Sequence, residues 1–364
     1  MALYIVISTV LAGAFIARSV LYSSNVTVVS NGKISKEKRT FYDELFFCFV
    51  LYLLWFLTAF RGKNIGNDTK AYIDAYLKVK EYGPSFSGME FGYQSYCYVI
   101  TRLMPNSNAI LIVTATVCYF GVGYYALQNS DDLYFSLILI FCLCFSNFVN
   151  ILRQSIAMVI CLYAYQMLKK KQSWFFVLSV LIASTFHLSA LVFWVVGLYR
   201  FFPKNTAYVF IVACVITVAS ATGMIPVVLE KILPKKYAGY FESTYAEGGW
   251  IGVSYEAVKA AVLCLIAFSA YRGGNRNEKL ILTSFSLTLS MVCFGYCMNQ
   301  FIRICGYFSM ISIAELPNAT IRLERKASNK LSMAICGVML VYFFVTMVFR
   351  PEWNHLYPFE FWQG

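Results

Sequence analysis

The fold of this chain depends on one stretch, residues 141–202: FCLCFSNFVNILRQSIAMVICLYAYQMLKKKQSWFFVLSVLIASTFHLSALVFWVVGLYRFF. It holds four apolar runs, and two groups of polar residues lie among them: Asn147, Asn150, Arg153 and Gln154, and then His187 and Ser189. A charged side chain at membrane depth is energetically costly, and where one occurs it usually serves a function. These residues are therefore the first candidates for a binding or catalytic site.

The composition places the chain among helical membrane proteins. Hydrophobic residues make up 59% of the sequence and charged residues 13%, and apolar runs of about 14 to 24 residues alternate with short polar segments. The net charge of +12 comes largely from Lys and Arg between the runs, where such residues set the orientation in the membrane. Most of the 12 Cys lie inside apolar runs, as small buried hydrophobic residues do. We therefore predict an all-α polytopic membrane protein and no affinity for nucleic acid.

The positions of the basic segments predict how the chain crosses the membrane. With these segments on the cytoplasmic side, about 12 helical segments form a single transmembrane domain, residues 1–364, with both termini outside. Residues 61–108 and 230–254 then lie outside, and the first of these segments is expected to contain a short amphipathic surface helix. The turn at Asp131 and Asp132 has no basic residue and gives this orientation its weakest support. The apolar runs are Ala2–Tyr22, Phe46–Phe60, Ala109–Leu127, Leu133–Val149, Ile151–Leu168, Trp174–Tyr199, Tyr208–Leu229, Tyr255–Tyr271, Leu280–Cys297, Ile304–Leu316 and Leu331–Phe349.

The run Trp174–Tyr199 is expected to form a hairpin rather than one helix. Lysines 169–171 precede it and Arg200 follows it, so both of its ends should be cytoplasmic, which a single span does not allow. We therefore predict a break at residues 185–187. Each arm of about 13 residues would rise only about 20 Å, less than the roughly 30 Å hydrocarbon core. Such an apex is tolerated in a water-filled cavity or inside protein, so His187 is expected in a cavity open to the outer face.

Two arginines follow external turns in the same way. Asn150 precedes Arg153, and Asn299 precedes Arg303, so each arginine lies in the first turns of an inward helix. The planar guanidinium group binds phosphate oxygens through two parallel hydrogen bonds, and a helix start also favours an anion. A pair of such arginines suits a pyrophosphate group. The alternative is structural, with each arginine paired to a carboxylate or extended to the membrane interface.

Three further residues are candidates for acid–base chemistry or sugar binding. His187 lies at the predicted hairpin apex, where a hydrogen-bonded structural role is the alternative. Asp68, in RGKNIGNDTKAY, and Glu90, in SGMEFGYQSY, lie among aromatic residues in the first external segment. Carboxylates accept hydrogen bonds from hydroxyl groups, as sugar binding requires. Asp68 has an alternative role as the N-cap of the helix that follows it.

Five motifs together resemble one protein family over roughly residues 45–320. They are R-x(4)-G-N-D-T-x-x-Y at Arg61–Tyr72, E-x-G at Glu90–Gly92, RQSIA at Arg153–Ala157, FHLSAL at Phe186–Leu191, and Arg303 followed by Tyr307 and Phe308. In these motifs the chain is similar to the EpsG-like group of Wzy-type polysaccharide polymerases. The resemblance implies a GT-C-like membrane glycosyltransferase of the bacterial inner membrane with a cavity that faces the periplasm. Its expected reaction joins O-antigen or other polysaccharide repeat units carried on undecaprenyl pyrophosphate.

The resemblance also implies partners and roles. The donor is a growing glycan on undecaprenyl pyrophosphate, the acceptor is the non-reducing end of a lipid-linked repeat unit, and a Wzz-type chain-length regulator is a candidate partner. No nucleotide sugar, cofactor or bound metal is expected. His187, Glu90 and Asp68 are the candidates for activating the acceptor hydroxyl. The residues expected to bind pyrophosphate or glycan are Arg153, Arg303, Gln154, Arg61, Asn150, Asn299, Tyr72 and Tyr307.

Three other functions stay open at this point. An O-antigen ligase would use the same donor with a different acceptor. A lipid-linked oligosaccharide flippase should expose charged residues alternately to both sides, whereas the deep charges here cluster outward. A membrane O-acyltransferase would also carry a His in the membrane, but no second polar partner lies beside His187 in sequence, and no cytoplasmic cleft for a thioester donor is predicted.

Overall fold

In the computed structural model the chain is helical throughout most of its described part, which covers residues 2–23, 40–84, 88–202, 205–225, 227–228, 250–298, 300–323 and 325–363. The α-helices are α1 (Ala2–Ser23), α2 (Phe41–Ala59), α3 (Thr69–Tyr82), α4 (Phe91–Leu103), α5 (Ala109–Asn129), α6 (Leu133–Asn150, with a π-helical turn at Ile140–Cys144), α7 (Leu152–Lys169), α8 (Ser173–Phe186), α9 (Thr206–Ala221), α10 (Trp250–Ala270), α11 (Arg276–Phe294), α12 (Gln300–Ser309), α13 (Ser312–Arg322) and α14 (Arg325–Phe349). A 3₁₀-helix, Leu188–Phe201, follows α8, and a 3₁₀ turn, Pro351–Trp353, follows α14.

The predicted all-α class is confirmed. Five helical segments in the described ranges are long and apolar enough to cross a membrane, as expected of a polytopic membrane protein. They are Phe41–Ala59, Ala109–Asn129, Leu133–Asn150, Gly252–Ala270 and Lys330–Phe349. The count of 12 spans and the GT-C-like arrangement stay predictions.

The chain forms two compact units, each with its own core. The first unit comprises residues 1–160, 182–188 and 312–364, and the second comprises residues 161–181 and 189–311. In the first, aromatic rings join α1, α6 and α14: the ring centroids of Tyr4 and Phe145 are 5.9 Å apart, and those of Phe141 and Phe343 are 4.5 Å apart. In the second, α11 packs against α9, α10 and α12.

The chain bends where α6 ends. α6 reaches Asn150, and α7 begins after the single non-helical residue Ile151. Across this break the Ser155 hydroxyl donates a hydrogen bond of 3.0 Å to the Asn147 carbonyl. Eight residues would separate these groups by about 12 Å in a straight helix. The structure therefore bends the chain at the position where the sequence predicts a turn.

The predicted break in the run Trp174–Tyr199 is confirmed at His187, between α8 and the 3₁₀-helix. The two arms lie against each other within the second unit. The ring of Phe176 is 6.2 Å from the ring of Phe193, and a Cβ atom on Gly197 would lie only 3.1 Å from the Phe176 ring. A glycine at this position thus permits the close approach of the arms, as a hairpin requires.

The second arm differs from the expectation of two short α-helices. It is a 3₁₀-helix of 14 residues, whereas runs of this conformation beyond three or four residues are uncommon. At about 2.0 Å per residue it rises about 28 Å, close to the roughly 30 Å of a hydrocarbon core. The predicted rise of about 20 Å therefore applies to α8 but is wrong for the second arm.

The first external segment contains the predicted amphipathic helix and one more. α3 buries Thr69, Tyr72, Ile73, Tyr76 and Val79, which recur at helical spacing, and exposes most of the remaining positions. α4 was not predicted, because its sequence mixes aromatic and polar residues. The predicted single run Ile304–Leu316 is also corrected, since α12 ends at Ser309 and α13 starts at Ser312.

At each end of the first unit, segments that were predicted to lie on the same side of the membrane contact one another. At one end the groups are Tyr4 with Leu356, Phe60 with Trp362, and Asn67 with Asn150. At the other they are Arg18 with Asp43, Tyr134 with Asp43, and Asp131 with Asn318. The turn at Asp131, which lacks basic residues, thus lies with the start of α2, as predicted. The second predicted external segment, residues 230–254, and the loop at residues 24–39 fall largely or wholly outside the described residues.

Candidate functional site

The centre of the candidate site is the carboxylate of Glu90. Its Oε2 atom forms an ion pair with Nη1 of Arg153, and its Oε1 atom lies 3.1 Å from Nδ1 of His187. The backbone N–H of Leu188 also points to Oε1, at 3.4 Å. Residues that are 63 and 97 positions apart in sequence therefore meet at one carboxylate. The three charged or titratable side chains keep about a quarter of their surface exposed: 24% for Glu90, 26% for Arg153 and 28% for His187.

The local sequence explains how Glu90 reaches His187. Glu90 is the N-cap residue of α4 but makes no capping hydrogen bond with its side chain, so the carboxylate is available to other groups. Gly92 lies in the first turn of α4 against the end of α8, and a Cβ atom there would lie 2.8 Å from the Thr185 carbonyl oxygen. Only glycine permits this approach. The E-x-G motif therefore has a steric reason, because the glycine brings the glutamate to the hairpin apex.

Charge at the site favours ionised Glu90. Partial burial alone would raise the pKa of this carboxyl group, but the hydrogen bond with His187 and the charge of Arg153 outweigh it and lower the pKa to about 2. Glu90 is therefore a carboxylate at any physiological pH. A carboxylate with so low a pKa is a weak general base.

The geometry leaves one nitrogen of His187 for other partners. Because Nδ1 faces a carboxylate, the neutral imidazole carries its proton there and its Nε2 atom is an acceptor. Nε2 has no hydrogen-bond partner within the part of the chain that the structure describes. The arrangement of carboxylate, imidazole and open acceptor is the one that orients a histidine general base.

Arg153 shows the carboxylate pairing of the structural alternative, while its binding of phosphate stays a prediction. It pairs with a carboxylate, as the structural alternative required. Its guanidinium carbon also lies 6.0 Å above the ring of Tyr72, and its Nε atom is buried without a hydrogen-bond partner among the described residues. The guanidinium fork therefore keeps donors that Glu90 does not use.

Asp68 occupies the N-cap position of α3, but its side chain makes no capping hydrogen bond. Its backbone carbonyl accepts from the N–H of Tyr72 at 3.0 Å. The carboxylate forms no hydrogen bond or ion pair within the described ranges. Asp68 thus occupies the N-cap position, but its carboxylate does not cap the helix and stays available.

Arg61 lies in the interior, with no exposed surface. Its Nη1 donates to the Thr58 carbonyl, its Nη2 donates to the Val149 carbonyl at 2.9 Å, and its Nε lies 3.4 Å from the Thr69 hydroxyl. Both carbonyls belong to the last turns of helices, α2 and α6, where the helix dipole is negative. The described contacts of Arg61 therefore hold two helix ends together, and a contact with substrate stays a prediction.

The C-terminal tail holds the loop before Asp68. The side-chain amide of Asn67 donates to the carbonyls of Trp353, at 2.8 Å, and Glu352, at 3.3 Å, and its oxygen contacts Nδ1 of His355. The sequence predicted an external tail here, but no contact of it. The structure makes residues 350–363 part of the framework around Asp68.

Asn150 joins the same framework. Its side-chain oxygen accepts from the N–H of Asn67 at 2.6 Å, and its amide donates to the carbonyls of Ser146, at 3.0 Å, and Asn354, at 3.1 Å. Asn150 is buried, and both its donor and acceptor sides are engaged by protein groups. Its described contacts are thus structural, and a contact with substrate stays a prediction.

A family model described as the EpsG family matches residues 44–361. The chain belongs to the EpsG family. Membership of this family makes the chain a polysaccharide polymerase-like membrane protein and, at the level of the family, a glycosyltransferase-like enzyme. The family predicted from the five sequence motifs is therefore confirmed. A search of the curated proteins and a search of the solved structures each found no match.

The other predicted site residues of this EpsG-family chain are spread over both units. Gln154 is buried in the first unit. Arg303 and Tyr307 lie on α12 of the second unit, where Arg303 is exposed and the buried Tyr307 hydroxyl is 3.0 Å from the Ser189 hydroxyl. Asn299 lies outside the described residues.

Sequence reasoning missed one ion pair of this EpsG-family protein. Glu256 and Lys259 are one helical turn apart on α10, with 2.5 Å between Oε2 and Nζ, and each side chain is largely buried. Two charges three positions apart within an otherwise apolar run were a readable signal, because charge inside a membrane segment is a functional candidate by default. The predicted run Tyr255–Tyr271 was treated as uniformly apolar, so the pair was passed over.

Proposed function

We propose that this chain is a Wzy-type polysaccharide polymerase. It would transfer a growing glycan from undecaprenyl pyrophosphate to the non-reducing end of a lipid-linked repeat unit, at the periplasmic face of the bacterial inner membrane. The observation that supports this proposal is the Glu90 carboxylate, which joins His187 to Arg153. It supplies an oriented base beside a guanidinium group in a chain of the EpsG family.

The proposed reaction needs a base for the acceptor and a cation for the leaving group. The acceptor hydroxyl oxygen attacks the anomeric carbon of the donor, and the bond from that carbon to the pyrophosphate oxygen breaks. The hydroxyl proton passes to Nε2 of His187, while Glu90 stabilises the resulting imidazolium ion. The unused donors of Arg153 stabilise the negative charge that develops on the pyrophosphate. Arg303 is the second candidate for this role.

The geometry ranks the three candidate bases that the sequence left unranked. Glu90 is already engaged by two partners and has a low pKa, so it orients His187 instead of taking the proton itself. His187 becomes the first candidate for the base. Asp68 is second, because its carboxylate has no partner within the described ranges but also no group that orients it.

Deletion of the gene in a host that makes lipopolysaccharide tests the function. Loss of a polymerase should leave lipid A core with a single repeat unit and remove the ladder of longer chains on a silver-stained gel. Loss of a ligase would leave bare core with unattached lipid-linked glycan, and loss of a flippase would leave no unit outside. A deletion strain that keeps its full ladder, with no second polymerase in its genome, would exclude the proposal.

Complementation of that strain tests the site. His187→Ala and Glu90→Gln should each reduce polymerisation by about 10²-fold to 10⁴-fold at normal membrane levels, because base catalysis depends on both groups. Arg102→Ala is the matched control, since Arg102 is an exposed residue on α4 whose described polar contact is with the Tyr98 hydroxyl. A functional Glu90→Gln variant would exclude Glu90 as the orienting group.

Cysteine labelling tests the proposed sidedness. In a cysteine-depleted background, an impermeant reagent added outside should label a cysteine at His187 and should not label cysteines at Gln172 or Tyr199. The proposed topology puts the apex of the hairpin outside and its two ends in the cytoplasm, and this accounts for the expected result. Labelling at residue 199 from outside would contradict it.

A further inference from the structure

The bases of the hairpin arms border a partly open cavity of about 640 Å³ within the second unit. Its lining includes the apolar or aromatic side chains of Leu168, Phe176 and Trp194 and the polar side chains of Tyr199, Arg200 and Arg276. The polymerase chemistry proposed above does not use this cavity. The cavity therefore needs an explanation of its own.

Two guanidinium groups flank one aromatic ring in this cavity. The Cζ atom of Arg276 lies 5.4 Å from the centroid of the Tyr199 ring, and the Cζ atom of Arg200 lies 5.9 Å from it. Arg276 donates from Nη2 to the Leu168 carbonyl at 2.9 Å, but its Nε atom is buried and has no partner among the described residues. Arg200 is exposed, and its Nε atom donates to the Tyr199 hydroxyl at 3.3 Å. Each guanidinium group thus keeps donors beyond these contacts.

No carboxylate in the described part of the chain forms an ion pair with either arginine. Glu278, two residues after Arg276, accepts instead from the N–H of Gly274 at 3.1 Å. An anion bound in the cavity would be attracted by both positive charges. The cavity therefore has the charge of an anion site.

We propose that this cavity binds the phosphate group of an anionic phospholipid. The phosphate lies between Arg200 and Arg276, whose forks offer parallel hydrogen bonds to its oxygens, and an acyl chain runs along Phe176 and Trp194. Basic pockets between membrane helices recognise lipid headgroups in this way.

The walls identify a lipid rather than free phosphate. Inorganic phosphate would occupy the arginine end and leave the apolar wall unfilled, whereas an acyl chain buries it. Phe201, which also lines the cavity, is 84% exposed, so an apolar side chain lies at the surface there. A zwitterionic headgroup would bring a cation to a place that already holds two. These features select a headgroup with net negative charge.

Tryptophan quenching by lipids with brominated acyl chains tests the proposal on the purified full-length protein in detergent. The chain has six Trp, so the signal of Trp194 is taken as the difference between the wild type and Trp194→Phe. Brominated phosphatidylglycerol should quench this signal at about tenfold lower concentration than brominated phosphatidylcholine. Arg276→Gln and Arg200→Gln should each raise the half-quenching concentration of phosphatidylglycerol about fivefold.

Two controls separate the cavity from a generally basic surface. Arg272→Gln removes the same charge from an exposed position four residues before Arg276 and should leave quenching unchanged. Arg276→Lys keeps the charge and should therefore recover part of the selectivity for phosphatidylglycerol that Arg276→Gln loses. Such a recovery would show that the Arg276→Gln protein is not simply misfolded. Equal quenching by both lipids, or an Arg272→Gln effect as large as that of Arg276→Gln, would overturn the proposal. Displacement of phosphatidylglycerol by an equal concentration of inorganic phosphate would overturn the assignment to a lipid.

Discussion

Arg61 and Arg153 were assigned the same role from sequence, yet the structure gives them opposite environments. Arg61 has no exposed surface and donates to two backbone carbonyls and a hydroxyl, without a carboxylate. Arg153 keeps 26% of its side chain exposed and pairs with the Glu90 carboxylate. Both positive charges are compensated, one by the ends of two helices and the other by an ionised side chain.

The difference teaches that the partner of an arginine indicates its role better than its position along the chain. Backbone carbonyls cannot move away without disrupting a helix end, so Arg61 is fixed with them. The Glu90 carboxylate also contacts His187, so a substitution of Arg153 changes the surroundings of His187 as well. Arg61 should therefore matter for folding and Arg153 for activity.

The largest effect is expected from Arg61→Met. The substitution leaves the carbonyls of Thr58 and Val149 buried without donors, which should reduce the free energy of unfolding by about 3 kcal/mol or more. Monodisperse yield and melting temperature in detergent measure this loss. Arg153→Met is the matched control and should cost less than about 1 kcal/mol, because a partly exposed ion pair contributes little. A stable but inactive Arg61→Met variant would break the comparison.

The next effect is on activity alone. Arg153→Lys keeps the charge but loses the fork, and polymerisation should fall about 100-fold at normal membrane levels. Arg303→Lys, tested in parallel, should do the same if Arg303 also contacts the pyrophosphate. The measurement is the length distribution of glycan in complemented deletion strains. Near-normal ladders in both variants would show that the arginines are structural or act only through their charge.

A smaller effect is expected at the tail. His355→Ala removes the side-chain contact to Asn67 and should destabilise the protein by about 1 kcal/mol, with activity reduced severalfold through the loop that carries Asp68. Glu360→Ala is a suitable comparison, because Glu360 lies on the same tail but its side chain makes only an exposed contact, of 3.3 Å, with the Asn64 amide. If the two variants lose equal activity, the tail does not act through Asn67.

The smallest effect concerns pH. Because the pKa of Glu90 is lowered from an ordinary value of 4.5 to about 2, its ionised form stabilises the folded state at any pH above about 4.5. That contribution should disappear as the pH falls from about 4.5 to about 2. The wild type should melt about 2 °C above Glu90→Gln at pH 7, and the difference should shrink only below pH 4.5. A difference that declines between pH 7 and pH 5 would show that another group is responsible.

Local pattern predicted much of the fold. The basic residues on both sides of the run Trp174–Tyr199 required a break, and His187 lies at that break. The bend after Asn150 and the amphipathic helix α3 were predicted in the same way, from periodicity and from the placement of charge. These features depend on neighbouring residues, which a sequence displays directly.

The candidate site was predicted in its members but not in its arrangement. Glu90, Arg153 and His187 were each selected, but their contact joins residues 63 and 97 positions apart, which no local pattern specifies. The burial of Arg61 depends on two helix ends that are distant in sequence, so the motif that contains it could not predict its contacts. The 3₁₀ conformation of Leu188–Phe201 also has no distinctive composition and could not be predicted.

The tail imposes an order in time on the folding of the first unit. His355 is 288 residues later in the chain than Asn67, which it contacts, and Trp362 pairs with Phe60 over a similar interval. At about 5 to 20 residues per second, the ribosome delivers the tail roughly 15 to 60 s after the loop that it holds. During that interval α2 and α3 are already in place while the loop between them still lacks its lasting partners. Nascent chains that stop before residue 350 should therefore be inserted in the membrane but inactive.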